Sequence, residues 1–165
     1  MLAAAGVGSG GIFRGYSMSV RQPRVLVVDD EHQEQVLSEI ALSKGRFGAR
    51  ITALRDGQEL MDYLERRPPW DNPERSPRPH LILLDLRMAR RDGRAALRAL
   101  RAHPDLRHLV VVVMSNSREG GDVLDAYRLG ANAYIAKPAD FNGLVEAVRS
   151  LETFWFELAE LPDPG

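Results

Sequence analysis

Short apolar runs alternate with stretches of helical periodicity along most of this chain. Continuous apolar runs, typical of strands buried on both faces, occupy residues 25–28, 81–84, 109–114 and 133–136, and residues 49–54 form a fifth strand candidate. Helical spacing marks the intervening segments, and residues 31–44 carry it at Val36, Leu37, Ile40 and Ala41. Short strands that alternate with helices predict a parallel sheet covered by helices on both faces. The pattern therefore predicts an α/β domain built from five β–α units.

The boundaries of these units carry the expected turn residues. Asp56 and Asp92 are placed to cap the second and third helices, Gly130 closes the fourth, and the last begins near Ala139 or Asp140. The segment before the first strand has a different composition. It is rich in Gly, Ala and Ser and has no apolar periodicity. We expect a disordered leader, a domain and a C-terminal helical extension over residues 1–22, 23–151 and 152–165.

The composition excludes several kinds of site. The 165 residues include no cysteine, so disulfides, thiolate nucleophiles, Fe–S clusters and cysteine zinc sites are excluded. A net charge of -1 argues against a nucleic-acid partner held by phosphate neutralisation. No apolar run approaches the roughly 20 residues of a membrane span, and the opening residues make a poor signal peptide, so we expect a cytoplasmic protein without membrane contact. The four histidines lack metal-ligand spacing and are expected at the surface.

Polar side chains follow the apolar runs at the points where the predicted strands end. Asp29 and Asp30 follow the first run, and the other runs end at Asp85, Ser115 and Lys137. In an open parallel sheet the carboxyl ends of the strands form the edge where ligands bind. Three neighbouring carboxylates raise one another's pKa unless a cation lies among them, and oxygen ligands without His or Cys suit Mg²⁺. The sequence therefore predicts a magnesium site at this edge.

The same edge carries the groups that a phosphoryl acceptor needs. An aspartate beside the metal could attack phosphorus, while the Ser115 hydroxyl and the Lys137 ammonium could bind phosphoryl oxygens. Lys137 is one of only two lysines among 22 basic residues, and the other is Lys44. Because nearly all the other basic residues are arginines, a lysine at position 137 suggests that a compact ammonium is required there. Chance explains this single fact equally well.

Four segments of the sequence resemble the motifs of a known protein family. VLVVDDE, LILLDL with a following DG, VVVMSNS and YIAKP resemble, in order and spacing, the receiver domains of two-component response regulators over roughly residues 24–151. The resemblance implies a flavodoxin-like, doubly wound, five-stranded parallel sheet with strand order 2-1-3-4-5 and five flanking helices. It also implies that Asp85 is phosphorylated by a sensor histidine kinase, and that Asp29, Asp30 and the backbone carbonyl of Arg87 hold Mg²⁺ together with Asp85.

The resemblance assigns further roles around this acceptor. Ser115 takes the place of the switch Ser/Thr, Lys137 that of the phosphate-binding lysine, usually before a cis proline, and Tyr134 that of the aromatic that swings inward on activation. Arg87 and Ser117 stand where the family tunes hydrolysis of the acyl phosphate. One departure is Met88-Ala89, where many receivers have a proline three or four residues after the acceptor.

The end of the chain suggests a subfamily. Phe154, Trp155 and Phe156 are consecutive, and successive helical side chains point about 100° apart, so at least one ring is left for another surface. This tail and the proline-rich loop before Leu81 resemble the single-domain regulators that partner bacterial and cyanobacterial phytochromes. Those regulators tend to form homodimers through their last helices, so we expect a phytochrome kinase partner, a dimer contact at the three aromatics and no DNA-binding output domain.

Two other functions remain open at this point. An aspartate-nucleophile phosphatase of the haloacid dehalogenase kind also uses Asp, Mg²⁺, Ser/Thr and Lys, but it needs D-x-D at the first strand, where this chain has adjacent Asp29 and Asp30. A receiver-like binding module that works without phosphorylation generally lacks an acceptor, an acidic residue or the lysine, and none of these is missing here.

Overall fold

The computed structural model describes residues 22–89 and 92–165, so the predicted leader lies almost entirely outside the described residues. The five strands are β1 (Arg24–Val28), β2 (Arg50–Leu54), β3 (Leu81–Leu84), β4 (Val111–Ser115) and β5 (Ala133–Ala136). The five α-helices are α1 (His32–Ser43), α2 (Gly57–Leu64), α3 (Gly93–Ala102), α4 (Gly120–Arg128) and α5 (Phe141–Thr153), and a π-helical turn (Phe154–Leu158) follows α5.

All strands are parallel and form one sheet in the order β2-β1-β3-β4-β5. This order confirms the predicted doubly wound α/β fold. Val28 pairs with Leu84, and Ser115 pairs with Ala136, so the chain leaves these strands at one edge of the sheet. Asp29, Asp85 and Lys137 therefore emerge at the same edge of the sheet.

Helix caps form at the residues that the sequence indicated. The side chains of Asp56, Asp92 and Asp140 accept hydrogen bonds from backbone amides in the first turns of α2, α3 and α5. These bonds satisfy amides that have no partner within the helix. Gly130 follows α4 with a φ of 96°, which favours glycine because its lack of a Cβ permits the left-handed region.

Each face of the sheet has its own core. Leu26 and Val28 point towards α2, α3 and α4, whereas Val25 and Val27 point towards α1 and α5. This division follows from the alternation of side chains along a strand and explains why the strands are apolar throughout. Among the described helices, none combines the length and apolar character needed to cross a membrane.

Helix α1 buries a different face from the one its apolar residues suggest. The buried side chains are Gln35, Ser38, Ala41 and Leu42, whereas Val36, Leu37 and Ile40 are each more than a third exposed. The Gln35 amide donates to the backbone carbonyls of Asp29 and Leu54, at 2.8 and 2.7 Å. A polar residue lies inside because it satisfies carbonyl groups at the ends of β1 and β2.

The three consecutive aromatics at the end of α5 have different environments. Phe156 is 1% exposed and packs edge-on against Phe47, with ring centroids 5.8 Å apart, while Trp155 is partly buried. Phe154 is 51% exposed. The geometric expectation that at least one ring is left at the surface is therefore confirmed.

Candidate functional site

Three carboxylates lie together at the carboxyl edge of the sheet. Asp29 and Asp30 follow β1 and Asp85 follows β3, and one oxygen atom from each lies within 4.8 Å of the others. Asp29 and Asp85 are buried, whereas Asp30 is exposed and provides access from solvent. The pairing of β1 with β3 positions this cluster because both strands end at the same level.

The carboxylate cluster fits a hard divalent cation. Burial raises the pKa of Asp85 above its usual value, and the charges of Asp29 and Asp30 add to the rise, although Lys137 and the Arg87 amide oppose it. A divalent cation would offset this mutual repulsion, and carboxylate oxygens are the ligands that Mg²⁺ prefers. When bound, Mg²⁺ would supply neutralisation of phosphoryl charge. The role of the Arg87 carbonyl as a further ligand stays a prediction.

Lys137 provides the positive charge of the site. Its Nζ lies 2.6 Å from Oδ2 of Asp29 and 3.7 Å from Oδ2 of Asp85. Burial alone would lower the pKa of Lys137, but the hydrogen bond to Asp29 and the nearby carboxylates raise it above its usual value. The ammonium is therefore charged and within reach of a group bound to Asp85.

Backbone amides fix the orientation of the three carboxylates. The amides of Glu31 and Arg87 donate to Oδ1 of Asp29 and Asp85, at 2.9 and 3.0 Å. The amide of Ala89 donates to Oδ2 of Asp30 at 2.8 Å. A proline has no N–H, so a receiver with proline at this position could not make the last bond. The Met88-Ala89 departure therefore adds a contact to Asp30 of the carboxylate cluster.

Ser115 and Tyr134 both contact Ser117, in the loop between β4 and α4. Ser115 ends β4 and is buried, and its Oγ accepts a hydrogen bond from the Ser117 amide at 3.3 Å. The Tyr134 hydroxyl donates to the Ser117 carbonyl at 2.8 Å, and this partly buried ring packs against the core. The cis proline expected after Lys137 is a wrong prediction for this structure, where the cis peptide bond of the described residues joins Pro68 and Pro69.

Arg87, two residues after Asp85, lies at the centre of a group of charged side chains. Its guanidinium contacts the Ser117 hydroxyl at 3.3 Å and Asp122 at 2.6 Å, and Arg94 contacts the other oxygen of Asp122 at 2.6 Å. Hydrogen bonds from Ser117 and Arg87 hold the pKa of Asp122 below its usual range. We name Arg87, Asp122 and Arg94 the arginine clamp, which joins the loop after β3 to α3 and α4.

Sequence reasoning missed several residues around the site. Asp122 and Arg94 lie in the first turns of α4 and α3, and Glu34 lies in the first turn of α1, with its carboxylate 3.4 Å from Lys137 Nζ. Their common signal is position, because helices that start at the carboxyl edge bring their first turns to the site. One histidine also differs from expectation, at a place away from this site. His80, which we expected at the surface, is half-buried, and its Nδ1 accepts a hydrogen bond from the Arg24 backbone amide.

Comparisons with known proteins agree with this geometry. A family model described as the response regulator receiver domain matches residues 25–149. Response regulator Rcp1 of Synechocystis sp. is 35% identical over 138 residues, which cover 84% of this chain and 92% of that protein. Rcp1 has also been solved in a Mn²⁺-bound form, with 34% identity and a TM-score of 0.76, covering 86% of this chain and 99% of that chain.

Two further solved structures are similar to this protein. Each match covers 86% of this chain and 99% of the solved chain. The phosphorylated cyanobacterial phytochrome response regulator RcpA is 34% identical, with a TM-score of 0.80. A response regulator in red light signaling of R. palustris is 37% identical, with a TM-score of 0.81. With its family match over residues 25–149, the chain belongs to the response regulator receiver domain family of two-component signalling proteins.

Proposed function

We propose that this protein is a stand-alone response regulator that accepts a phosphoryl group on Asp85 from the phosphohistidine of a phytochrome sensor kinase in the cytoplasm. A carboxylate oxygen of Asp85 attacks phosphorus, the P–O bond forms as the P–N bond breaks, and the imidazole of the kinase leaves. The signal then passes by conformational change and protein contact. Slow hydrolysis of the acyl phosphate resets the protein, and Arg87 and Ser117 set its rate.

One observation carries this proposal. Asp85 lies beside two further carboxylates that can hold a cation, and within 3.7 Å of an ammonium that can bind a phosphoryl oxygen. Asp85 is 8% exposed, so its carboxylate is shielded from bulk solvent yet lies beside the exposed Asp30. A nucleophile, a cation site and a fixed positive charge are the groups needed to receive a phosphoryl group.

Intact-mass spectrometry after incubation with acetyl phosphate tests the acceptor. We expect a labile adduct of one phosphoryl group that forms with Mg²⁺ and not with EDTA, and that is absent from Asp85→Asn. Asp92→Asn is a matched control, because Asp92 caps α3 outside the carboxylate cluster. This variant should still be phosphorylated on Asp85. Magnesium binding without an adduct, from acetyl phosphate or from a kinase, would favour the phosphorylation-independent binding module.

The aspartate phosphatase alternative predicts a different product. Such an enzyme would release inorganic phosphate from a phosphate monoester over many turnovers, whereas a receiver releases one phosphate per phosphorylated chain. Incubation with p-nitrophenyl phosphate separates the two, and we expect no release above that of Asp85→Asn.

The phytochrome partner is proposed from the relatives. Rcp1, RcpA and the R. palustris regulator are each similar over most of this chain. RcpA is a cyanobacterial phytochrome response regulator, and the R. palustris protein is a response regulator in red light signaling. Phosphotransfer from an autophosphorylated bacteriophytochrome kinase should be faster, by about tenfold or more, than transfer from an unrelated histidine kinase. Equal rates from both kinases would contradict the assignment.

The end of α5 supports a homodimer. Phe154 and Trp155 border an apolar groove of about 420 Å³, which is also lined by Ala133, Ile135, Ala147 and Leu151. Apolar surface of this kind favours an interface, and the exposed Phe154 ring could fill the groove of a second copy. Light scattering should show that Phe154→Ala weakens the dimer, whereas Ile40→Ala, at a similarly exposed position on α1, should not.

A further inference from the structure

Glu34 gives the phosphate-binding lysine a counter-ion outside the metal cluster. Its Oε2 lies 3.4 Å from Lys137 Nζ, and its side chain is 30% exposed. Within the described residues, Lys137 has three carboxylate partners within 4 Å, at Asp29, Asp85 and Glu34. Asp29 and Asp85 belong to the cluster that could hold a cation, and Glu34 does not.

This difference decides what Lys137 contacts when a cation is present. A divalent cation takes carboxylate oxygens of Asp29 and Asp85, and it therefore competes with Lys137 for both of them. Glu34 has no such competitor, so it remains available to the ammonium. The pairing is shielded as well, because the Lys137 side chain is only 7% exposed, and attraction between charges is stronger where water is scarce.

We propose that Glu34 is a positioning residue that holds Lys137 in the unphosphorylated protein and opposes formation of the phosphorylated one. This inference rests on the proposed function of Asp85. The phosphoryl group adds negative charge beside Asp85 and recruits Lys137, so the ammonium must turn away from Glu34. The Glu34 carboxylate also repels the phosphoryl oxygens directly.

Removal of the Glu34 charge should therefore change two affinities in opposite directions. Mg²⁺ should bind more weakly, because one negative charge near the site is lost. Beryllium trifluoride, an anionic mimic of the phosphoryl group, should bind more tightly, because Lys137 is released and one repulsion is gone. A residue that only maintains the structure would weaken both affinities.

The experiment measures both affinities by calorimetry on the full chain, first with MgCl₂ alone and then with beryllium trifluoride in saturating MgCl₂. For Glu34→Gln we expect Mg²⁺ to bind about two- to threefold more weakly and beryllium trifluoride about three- to tenfold more tightly, as suits one unit charge some ångströms away near the surface. Higher salt should reduce both changes. Phosphorylation by acetyl phosphate should yield a correspondingly longer-lived adduct.

Three variants make the result decisive. Glu34→Ala removes the same charge and should repeat the result if Glu34→Gln does not fold, whereas Glu34→Asp keeps the charge and should restore most of the wild-type behaviour. Glu39→Gln removes one charge further along α1, away from Lys137, and should change neither affinity.

Two outcomes would overturn the inference, and they are distinguishable. If the wild-type protein binds beryllium trifluoride and the charge-removing variants bind it equally or more weakly, Glu34 does not restrain Lys137, while the proposed function stands. If the wild-type protein binds neither beryllium trifluoride nor a phosphoryl group, the proposed function fails, and this inference fails with it.

Discussion

Arg87, two residues after the proposed acceptor, is paired with Asp122 in the first turn of α4 at a distance of 2.6 Å. The ion pair spans from the loop after β3 to the helix after β4. Arg94 of α3 binds the second oxygen of the same carboxylate, so Asp122 is held on both sides. Arg87 also donates its backbone amide to Asp85 at 3.0 Å, so one residue contacts both the Asp85 carboxylate and the first turn of α4.

Loss of the arginine clamp should lengthen the life of the phosphorylated protein. In Asp122→Asn the guanidinium of Arg87 loses its nearer ionic partner, at 2.6 Å, and keeps Glu119 at 3.8 Å, so it pairs more readily with the added phosphoryl charge. We expect dephosphorylation to slow by about two- to fivefold, as measured by the decay of the intact-mass adduct. Asp125→Asn, at an exposed position on the same helix, is the control. An unchanged or shorter half-life would contradict the prediction.

Gly93 should not tolerate a side chain. A Cβ at this position would overlap the backbone carbonyl oxygen of Asp85, and backbone there cannot move without displacing the acceptor. We expect Gly93→Ala to lower the free energy of unfolding by about 1–3 kcal/mol in urea titrations, with slower phosphorylation. Gly121→Ala is the matched control, because a Cβ there meets nothing within 4 Å. Equal stability of the two variants would show that the loop adapts.

Glu152 should make the protein less stable as the pH rises. Among the described residues, its buried carboxylate has no hydrogen-bond partner of good geometry, and burial raises its pKa, although the Arg46 backbone and the charges of Arg149 and Arg46 oppose the rise. The folded protein thus keeps a proton that the unfolded chain loses near pH 4.5, and stability falls as the pH rises through the folded pKa. Glu152→Gln should match the wild-type Tm in acid and exceed it by about 2–4 °C near pH 8.

The control for this prediction is Glu146→Gln, an exposed position on the same helix. Its Tm should follow the wild-type curve over the whole pH range. Parallel curves for Glu152→Gln and the wild type would mean that the Glu152 carboxyl is hydrated in solution.

His80 should have the opposite pH dependence. Burial and the charge of Arg24 lower its pKa to about 4, although Asp163 opposes the shift, and its Nδ1 accepts the Arg24 amide at 3.0 Å. In the unfolded chain His80 binds a proton near pH 6.5, whereas in the folded protein it stays neutral until about pH 4. The free energy of unfolding therefore falls as the pH drops from 6.5 towards 4. His80→Asn keeps an acceptor for the amide, and urea unfolding should show a smaller loss. His108→Asn, at an exposed position, should retain the full loss.

The strands and the centre of the site were predictable because they depend on order along the chain. A strand buried on both faces must be apolar throughout, so the polar residue that follows it marks the carboxyl edge. Asp29, Asp85 and Lys137 meet there for that reason. Some boundaries moved by one or two residues, since β4 covers Val111–Ser115 rather than residues 109–114 and β2 begins at Arg50 rather than at Ala49.

Contacts that depend on the tilt and rotation of helices were not predictable. Helix α1 contains enough apolar residues to suggest a core face, but Gln35 lies inside because two carbonyls at strand ends need a donor. Asp122 and Glu34 likewise reach the site only because α4 and α1 begin above it. No periodicity in the sequence encodes which first-turn side chain meets which partner.

Phe156 has a practical consequence for how this protein is divided or recombined. The ring completes the core between α1 and α5 and contacts Phe47, yet it lies beyond residues 25–149, which the family model matches. A fragment that ends at residue 149 would retain the proposed site residues but would lose Phe156 and the part of the core that it fills. Fusion proteins and exchanges between relatives should therefore place their junctions after Leu161, which packs against the same core.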